Sequence, residues 1–390
     1  MPPQPHPHIH PQTLTHFLRA QAALYGRDIT TTPNPQTWTP PPSSGGHLGR
    51  YLWTDAIGVL NFLTLHRIHP NPPSPTHYLT LATRLIESVH NTLGRTRDPP
   101  HSYLRNASPS HPLRGGLRIG KPSATGHDSD GQYHHYLTLW MYALNRMSVA
   151  SKEGKWNALA VELGQAIHPK FFIRGVDGRR LDRMVWKMDT ELERVLVGSE
   201  GNLDPVDGFV VFRLVRAYEI AHGGGNGVLE DEIEDYRRVM QRKGRQRVSD
   251  DLLDLGMGLW TAHLVEGDEE EWAGELLGRA VERVYDLFEN KRYLERDPRY
   301  RLAFREFGAA MGIRCVAEQQ AEKDTAVDLK VYADRIVDFW APYMAGEEED
   351  DLEDLRPITQ VMYAAALFPG AFCRGFFDNE PVVPPVRNVY

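Results

Sequence analysis

Cysteine is scarce in this chain, and basic residues do not outnumber acidic ones. Its 390 residues include two cysteines, Cys315 and Cys373, which excludes a disulfide framework and is typical of a reducing compartment. Lysine and arginine number 44 against 52 aspartates and glutamates, a net charge of -8. A nucleic-acid surface usually needs a basic patch, so we expect no nucleic-acid partner.

Long apolar runs are missing as well. No stretch approaches the ~20 apolar residues of a transmembrane helix, so we expect no membrane span. The first residues are rich in proline and histidine and lack the basic and apolar regions of a secretory signal. We therefore expect residues 1–10 to form a flexible tail, and the protein to be cytoplasmic.

Several signatures of nucleotide, metal and nucleophile chemistry are not found. The chain has no Gly-x-Gly-x-x-Gly after a strand, no phosphate loop, no HExxH and no nucleophile elbow. Zinc sites built from cysteine and histidine are disfavoured too, because the two cysteines are far apart and not near a histidine cluster. We expect neither a cofactor nor a metal.

What the chain does contain is an alternation of about twelve helical segments. Even-numbered segments are apolar on most sides and odd-numbered ones are amphipathic, which predicts inner and outer helices. The predicted helices are 11–25, 50–67, 76–93, 131–150, 153–167, 205–222, 228–242, 249–264, 269–289, 300–316, 325–342 and 355–367. Short strands are predicted around 184–188.

Inner and outer helices that alternate in this way can close into a ring of six helical hairpins. We therefore predict an all-α (α/α)6 barrel over residues 11–370, as one domain, followed by a C-terminal extension over 371–390. A parallel-sheet fold is disfavoured because strands do not alternate with the helices. An α-solenoid is the competing architecture, but we see no repeat of about 34 to 47 residues that would mark one.

Polar clusters stand at or near the start of each inner segment. They are residues 51–55, 127–135, 204–207, 250–254, 301–306 and 356–360. In a ring of hairpins the inner helices bring these ends to one shared mouth, among long irregular loops. A mouth of this composition predicts a binding site for a polar molecule.

The number of hairpins, the chain length and the polar starts of the inner segments resemble the six-hairpin glycosidase-like superfamily, over about residues 11–370. In size the chain is similar to unsaturated glucuronyl hydrolases and to the N-acylglucosamine 2-epimerase group. The resemblance implies a sugar bound at the barrel mouth. The paired catalytic histidines of the epimerase group are not matched, because His263 is the only histidine on inner helices eight to twelve.

The segment 126–136 is the richest of the clusters. On a helix that begins at Gly131, Asp130 and His134 share one face, so the carboxylate orients the imidazole or shares a substrate hydroxyl with it. The alternative is that Asp128 or Asp130 caps the helix. His127, Asp128 and Tyr133 are further candidates for contacts with the substrate.

Asp204 and Asp207 form the second cluster. They are three residues apart at the positive end of a predicted helix, and mutual repulsion can keep one protonated while the other is charged. The alternative is a helix cap and a structural aspartate. We choose Asp130 and Asp207 as acid and base, with His134 as the alternative, and Asp204 as a substrate contact.

Other candidates come from the remaining clusters. Asp55 follows Trp53 in an apolar run and needs either a buried hydrogen-bond partner or a wet cavity. Arg305 and Glu306 form either an ion pair or a site in which the arginine holds a substrate carboxylate. The other predicted substrate contacts are Trp186, Lys187, Asp254, His263 and Gln360.

These observations support three hypotheses. The first is a sugar-active enzyme that hydrolyses a glycosidic or unsaturated-uronyl bond by carboxylate acid–base chemistry. The second is a sugar epimerase or isomerase that uses His134 or His263. The third is a toroid without catalytic activity that binds a polar ligand or a protein partner. The expected partner is a small polar substrate, a saccharide, and a homodimer is left open.

Overall fold

Twelve α-helices build the computed structural model of this protein. It describes residues 9–42, 50–126, 128–174, 181–243, 247–265, 271–319, 324–346, 355–378 and 380–383. The helices are α1 Pro11–Tyr25, α2 Leu52–Ile68, α3 His77–Leu93, α4 His134–Ser151, α5 Lys155–Phe171, α6 Asp204–Ala221, α7 Glu230–Lys243, α8 Leu252–His263, α9 Glu271–Tyr285, α10 Ala303–Gln319, α11 Asp324–Ala345 and α12 Arg356–Leu367. None of these described helices is long and apolar enough to cross a membrane.

The even-numbered helices close into a ring. Each of α2, α4, α6, α8, α10 and α12 contacts the next, and α12 returns to α2. The odd-numbered helices pack outside, α3 on α2, α5 on α4, α7 on α6, α9 on α8, α11 on α10 and α1 on α12. The predicted (α/α)6 barrel is therefore confirmed.

Burial follows the hydrophobic pattern that predicted this arrangement. On α2, nearly every residue from Leu52 to Leu65 is buried, because the ring surrounds it on all sides. On α3, the buried positions recur with helical spacing and the others face outward. The apolar surface that the ring removes from water is the main stabilising term of the fold.

Five short strands lie in the loops beside the mouth. They are β1 Gln132–Tyr133, β2 Phe172–Arg174, β3 Leu181–Met184, β4 Lys187–Met188 and β5 Val195–Val197. Antiparallel pairs form between β1 and β4, between β4 and β5, and between β2 and β3. The strands predicted around 184–188 are present, and pairing of β1 with β4 delays the start of α4.

The predicted start of α4 at Gly131 is wrong. Gln132 and Tyr133 are extended and pair with Met188 and Lys187, so the helix begins at His134. Asp130 consequently lies in the preceding loop and shares no helix face with His134.

The chain beyond α12 closes the ring away from the mouth. A turn at Gly370–Phe372 enters between the inner helices, where Tyr142 donates hydrogen bonds to the carbonyls of Ala371 and Phe372 at 3.0 and 3.1 Å. The indole N–H of Trp260 donates to the same Phe372 carbonyl at 3.0 Å. The described residues of the predicted extension therefore fill the ring.

Glycines let α8 and α10 cross closely. A Cβ atom on Gly256 would lie 2.0 Å from the carbonyl oxygen of Gly308, and one on Gly312 would lie 2.1 Å from the carbonyl oxygen of Gly256. Backbone atoms cannot move aside as a flexible side chain can. The crossing therefore requires glycine at these positions.

We expect Gly256→Ala to lower the free energy of unfolding by about 1–3 kcal/mol, the usual cost of overpacking. Gly258→Ala is the matched control, because its Cβ would make ordinary contact with Leu203 at 3.7 Å. The control should be neutral or stabilising by up to about 1 kcal/mol, since alanine favours the helix. Chemical denaturation measures the free energy of unfolding of both variants. Equal changes in the two would contradict the close crossing of α8 and α10.

Candidate functional site

A cavity of about 460 Å³ opens at the mouth of the ring. The first turn, or the cap, of every inner helix contributes to its wall, as the polar clusters predicted. The lining residues are Tyr51, Trp53, His135, Tyr136, Thr138, Leu139, Trp186, Gly201, Asn202, Leu203, Asp204, Asp207, Val211, Asp251, Leu253, Asp254, Met257, Trp260, Phe304, Arg305, Leu355 and Ile358.

Aromatic rings form one wall of this cavity. Tyr51 stacks on Tyr136 with ring centroids 5.9 Å apart, and Trp53 lies 5.2 Å from Tyr136. The indole nitrogen of Trp53 is buried and has no hydrogen-bond partner in the part of the chain that the structure describes. Trp186, also in the wall, donates its indole N–H to Ser199 at 2.9 Å. Such a wall offers apolar ring faces and an N–H donor to a ligand.

Two carboxylates of α6 also line the cavity. Asp204 and Asp207 occupy the first turn of that helix and are 3% and 7% exposed. The helix N-terminus stabilises negative charge there. Leu203 is the residue at the N-cap position, so the alternative in which Asp204 caps the helix is not found.

The two oxygens of Asp204 differ in their surroundings. Oδ1 is 3.8 Å from Nδ1 of His134 and 3.6 Å from Nδ1 of His135. Oδ2 is buried and accepts no hydrogen bond from any described residue. A buried oxygen of this kind is costly unless a ligand or water pairs with it.

Asp207 has different surroundings. Its Oδ1 accepts a hydrogen bond from the hydroxyl of Thr261 at 2.8 Å. Burial raises the pKa of Asp207 well above its ordinary value, and the nearby charges of Asp204 and Asp254 raise it further. The geometry thus places a carboxyl group that tends to keep its proton one helical turn from Asp204.

The start of α8 adds two more carboxylates. Asp251 caps the helix by accepting from the backbone N–H of Leu253 at 3.0 Å, and it pairs with Arg305. Asp254 accepts from the amide of Asn202 at 3.0 Å, and burial raises its pKa. Over the described residues, no three histidine, cysteine or acidic side chains converge on a point where a metal ion could sit.

Asp130 lies outside the cavity. Its Oδ2 accepts from the guanidinium of Arg118 at 2.5 Å, and its Oδ1 accepts from the backbone N–H groups of Gly120, Lys121 and Gly131 at 3.0 to 3.2 Å. All these bonds organise the loop before β1. We do not retain Asp130 as a catalytic residue, because its carboxylate is consumed and the late start of α4 removes it from the mouth.

The carboxylates of Asp55 and Glu306 are also engaged in buried ion pairs and are not available to a substrate. Asp55 accepts from Nε of Arg50 at 2.8 Å and from the hydroxyl of Tyr25 at 3.1 Å. Glu306 accepts from Nη2 of Arg301 at 2.6 Å and from an indole N–H of α11 at 3.0 Å. The partner of Glu306 is therefore Arg301, and its neighbour in sequence, Arg305, lines the cavity.

Tyr133 and Lys187 support the aromatic wall from behind. The ring of Tyr133 lies 5.0 Å from that of Trp186 and is buried. Lys187 donates from Nζ to the carbonyl of Ser129 at 2.7 Å, and burial lowers its pKa. Neither residue lines the cavity.

The remaining candidates lie elsewhere. Asp128 is exposed and pairs with Lys121, and Gln360 is buried on α12 outside the cavity. His263 lies at the far end of α8, where its Nε2 accepts from the backbone N–H of Arg374 at 3.2 Å and burial lowers its pKa to about 4. His127 lies outside the described residues.

His135 is a cavity residue that the sequence reasoning missed. Adjacent residues on a helix point about 100° apart, and here His135 faces the mouth while His134 does not. The structure turns His135 toward the cavity and buries His134 behind it. Burial lowers the pKa of His135. The pair of histidines was the available signal, but the helix start decides which one lines the site.

The fold is similar to a solved structure. It matches the crystal structure of a family 76 glycoside hydrolase from a bovine Bacteroides thetaiotaomicron strain with a TM-score of 0.54 and 12% identity, over 91% of this chain and 76% of that one. No family model and no curated protein matches the sequence. A likeness at this identity concerns architecture, and it agrees with the ring of hairpins described above. The chain has an (α/α)6 fold of six helical hairpins, as that glycoside hydrolase does.

Proposed function

We propose that this protein is a glycoside hydrolase whose active site is the cavity at the mouth of the ring. One observation carries the proposal: Asp204 and Asp207 line the same cavity one helical turn apart, and burial raises the pKa of Asp207 well above its ordinary value. A carboxylic acid and a carboxylate at one site are the groups that glycoside hydrolysis uses. The likeness of the fold to a family 76 glycoside hydrolase supports the same class of reaction.

In this mechanism Asp207 is the general acid. It protonates the glycosidic oxygen while the bond from that oxygen to the anomeric carbon breaks. Positive charge then develops on the sugar ring, and the carboxylate of Asp204 stabilises it. Oδ2 of Asp204, which has no protein partner among the described residues, either takes a proton from the attacking water or attacks the anomeric carbon itself.

The charge of the cavity favours a neutral saccharide. Asp204, Asp207, Asp251 and Asp254 line it, and Arg305 is already paired with Asp251. An anionic sugar would meet repulsion from the carboxylates of Asp204 and Asp251 and would have to displace Asp251 from the arginine. We therefore propose a neutral oligosaccharide, and we do not retain the unsaturated-uronyl substrate.

The placement of the two histidines named for epimerisation disfavours that reaction. That hypothesis needs His134 or His263 to move a proton on the substrate, but neither lines the cavity. A cytoplasmic location, a homodimer and the division into tail, toroid and extension stay predictions.

Asp204→Asn and Asp207→Asn should each lower turnover by at least about 100-fold, the usual contribution of a general acid or base. Release of reducing ends from a panel of neutral α- and β-linked oligosaccharides measures this. Asp128→Asn is the matched control, because Asp128 is exposed and outside the cavity. Wild-type rates in both cavity variants, or no cleavage of any neutral oligosaccharide by the wild type, would overturn the proposal.

Asp207→Asn should also change how stability depends on pH. A raised pKa means that the native state keeps a proton that the unfolded chain releases, so wild-type stability falls as pH rises from about 4 through the native pKa. The variant cannot lose that proton. As pH rises through this range, we expect the free energy of unfolding of the variant to increase relative to that of the wild type, by up to about 1.4 kcal/mol per pH unit. Urea unfolding at pH 4 to 8 measures this. If the free energies of unfolding of the wild type and the variant changed in parallel with pH, the raised pKa assigned to Asp207 would be contradicted.

Trp186→Ala should raise KM about tenfold, the equivalent of about 1.4 kcal/mol of binding free energy, because it removes a ring face from the wall. Ser199→Ala is the matched control, since it removes only the hydrogen bond to the indole. Steady-state kinetics on the best oligosaccharide would measure both. A larger effect from Ser199→Ala than from Trp186→Ala would show that stacking is not the role of this ring.

A further inference from the structure

A buried polar chain runs from α7 to the wall of the cavity. His134 is fully buried at the start of α4, and its Nε2 lies 2.7 Å from the hydroxyl oxygen of Tyr236 on α7. Its Nδ1 faces the other way, toward Oδ1 of Asp204 at 3.8 Å. The three side chains thus form a line from an outer helix to a carboxylate of the cavity.

The two neighbours of the His134 ring, Tyr236 and Asp204, favour one tautomer. Burial raises the pKa of the Tyr236 phenol well above its ordinary value, and the negative charge of Asp204 raises it further. The phenol therefore keeps its proton and can donate a hydrogen bond to Nε2. Nδ1 faces the carboxylate of Asp204, which only accepts, so a neutral imidazole carries its proton on Nδ1 and leaves Nε2 as the acceptor. That Nδ1 has no hydrogen-bond partner among the described residues, and Asp204 is the acceptor that it faces.

The position of Tyr236 is closely defined. Its ring lies 4.9 Å from that of Phe172 and 5.0 Å from that of Phe212. It passes over α6 at Gly208, where a Cβ atom would lie 2.2 Å from the tyrosine ring. A larger residue at 208 would push the ring away, so this glycine, directly after Asp207, admits the tyrosine hydroxyl to His134.

We propose that Tyr236 and His134 are positioning residues for Asp204. The phenol favours this imidazole tautomer, and the Nδ1–H of His134 holds Oδ1 of Asp204 from behind, together with His135 on the cavity side. The remaining oxygen, Oδ2, is thereby directed to the substrate. The separation of 3.8 Å shortens to a hydrogen bond when charge builds up at the site, as catalytic hydrogen bonds do on substrate binding. This inference rests on the proposed function and assigns roles to two side chains that do not line the cavity.

Nitrogen NMR of the histidine side chains tests the tautomer without any substrate. In the wild type, we expect His134 to carry its proton on Nδ1, with Nε2 as a hydrogen-bonded acceptor; loss of the signal in His134→Gln assigns it. In Tyr236→Phe the Nε2 resonance should move toward the value of a free acceptor nitrogen. A proton on Nε2 in the wild type, or an imidazolium, would overturn the proposal even if the protein hydrolyses oligosaccharides.

Kinetics test the positioning role. Tyr236→Phe keeps the ring and should lower kcat about tenfold with KM nearly unchanged, because the bond matters most in the transition state. Tyr218→Phe is the control: it removes a phenol hydroxyl from the far half of α6, where Ser148 is the partner, and should leave kcat unchanged. An unchanged kcat in Tyr236→Phe, with the wild type active and the tautomer as expected, would overturn the role.

Two substitutions of His134 serve if Tyr236→Phe does not fold. His134→Asn keeps an N–H near the place of Nδ1, facing Asp204, whereas His134→Gln puts its amide near the place of Nε2, facing Tyr236. We expect His134→Asn to retain turnover within a few-fold of the wild type, and His134→Gln to lose tenfold or more. The reverse order would overturn the proposal. A wild type that is inactive on every oligosaccharide would defeat the proposed function, while the NMR result would still decide the tautomer.

Discussion

Asp204 and Asp207 are buried one helical turn apart, and this arrangement is costly because each carboxylate loses water and repels the other. Three features of the structure offset the cost. The amino end of α6 stabilises negative charge, the imidazoles of His134 and His135 approach one oxygen of Asp204, and Asp207 tends to hold a proton. A cluster arranged only for stability would avoid such a pair. Its presence in the cavity is the basis for the proposed chemistry.

The ring explains why these groups meet. Six inner helices run in the same direction, so their amino ends, with their partial positive charges, surround one mouth. The carboxyl halves of the helices are closed by the turn at Gly370–Phe372, and Trp260 links this turn to the floor of the cavity through its indole N–H. The polar groups at these amino ends therefore collect at the mouth, and the chain that follows α12 closes the other end of the barrel.

Much of this was accessible from the sequence. Helical periodicity is a local property, so it predicted the twelve helices and their inner and outer places, and it put Asp204 and Asp207 at a shared mouth. Asp130 and His134, which the sequence analysis also placed at the mouth, lie outside the cavity for a non-local reason. A strand pairing across about fifty residues, 132–133 with 187–188, delays the start of α4 and changes which side chains face inward. Likewise, no pattern shows which buried carboxylate already has a cation as its partner.

A crystal structure of the Asp207→Asn variant with a bound neutral oligosaccharide would test the central claim most directly. Removal of the proposed acid should let an intact substrate accumulate in the cavity. The account predicts a glycosidic oxygen within about 3 Å of the side chain at position 207, the reach of a general acid, with Oδ2 of Asp204 facing the anomeric carbon. An oligosaccharide bound away from both carboxylates, or a crystal structure in which the cavity holds no oligosaccharide, would contradict this account.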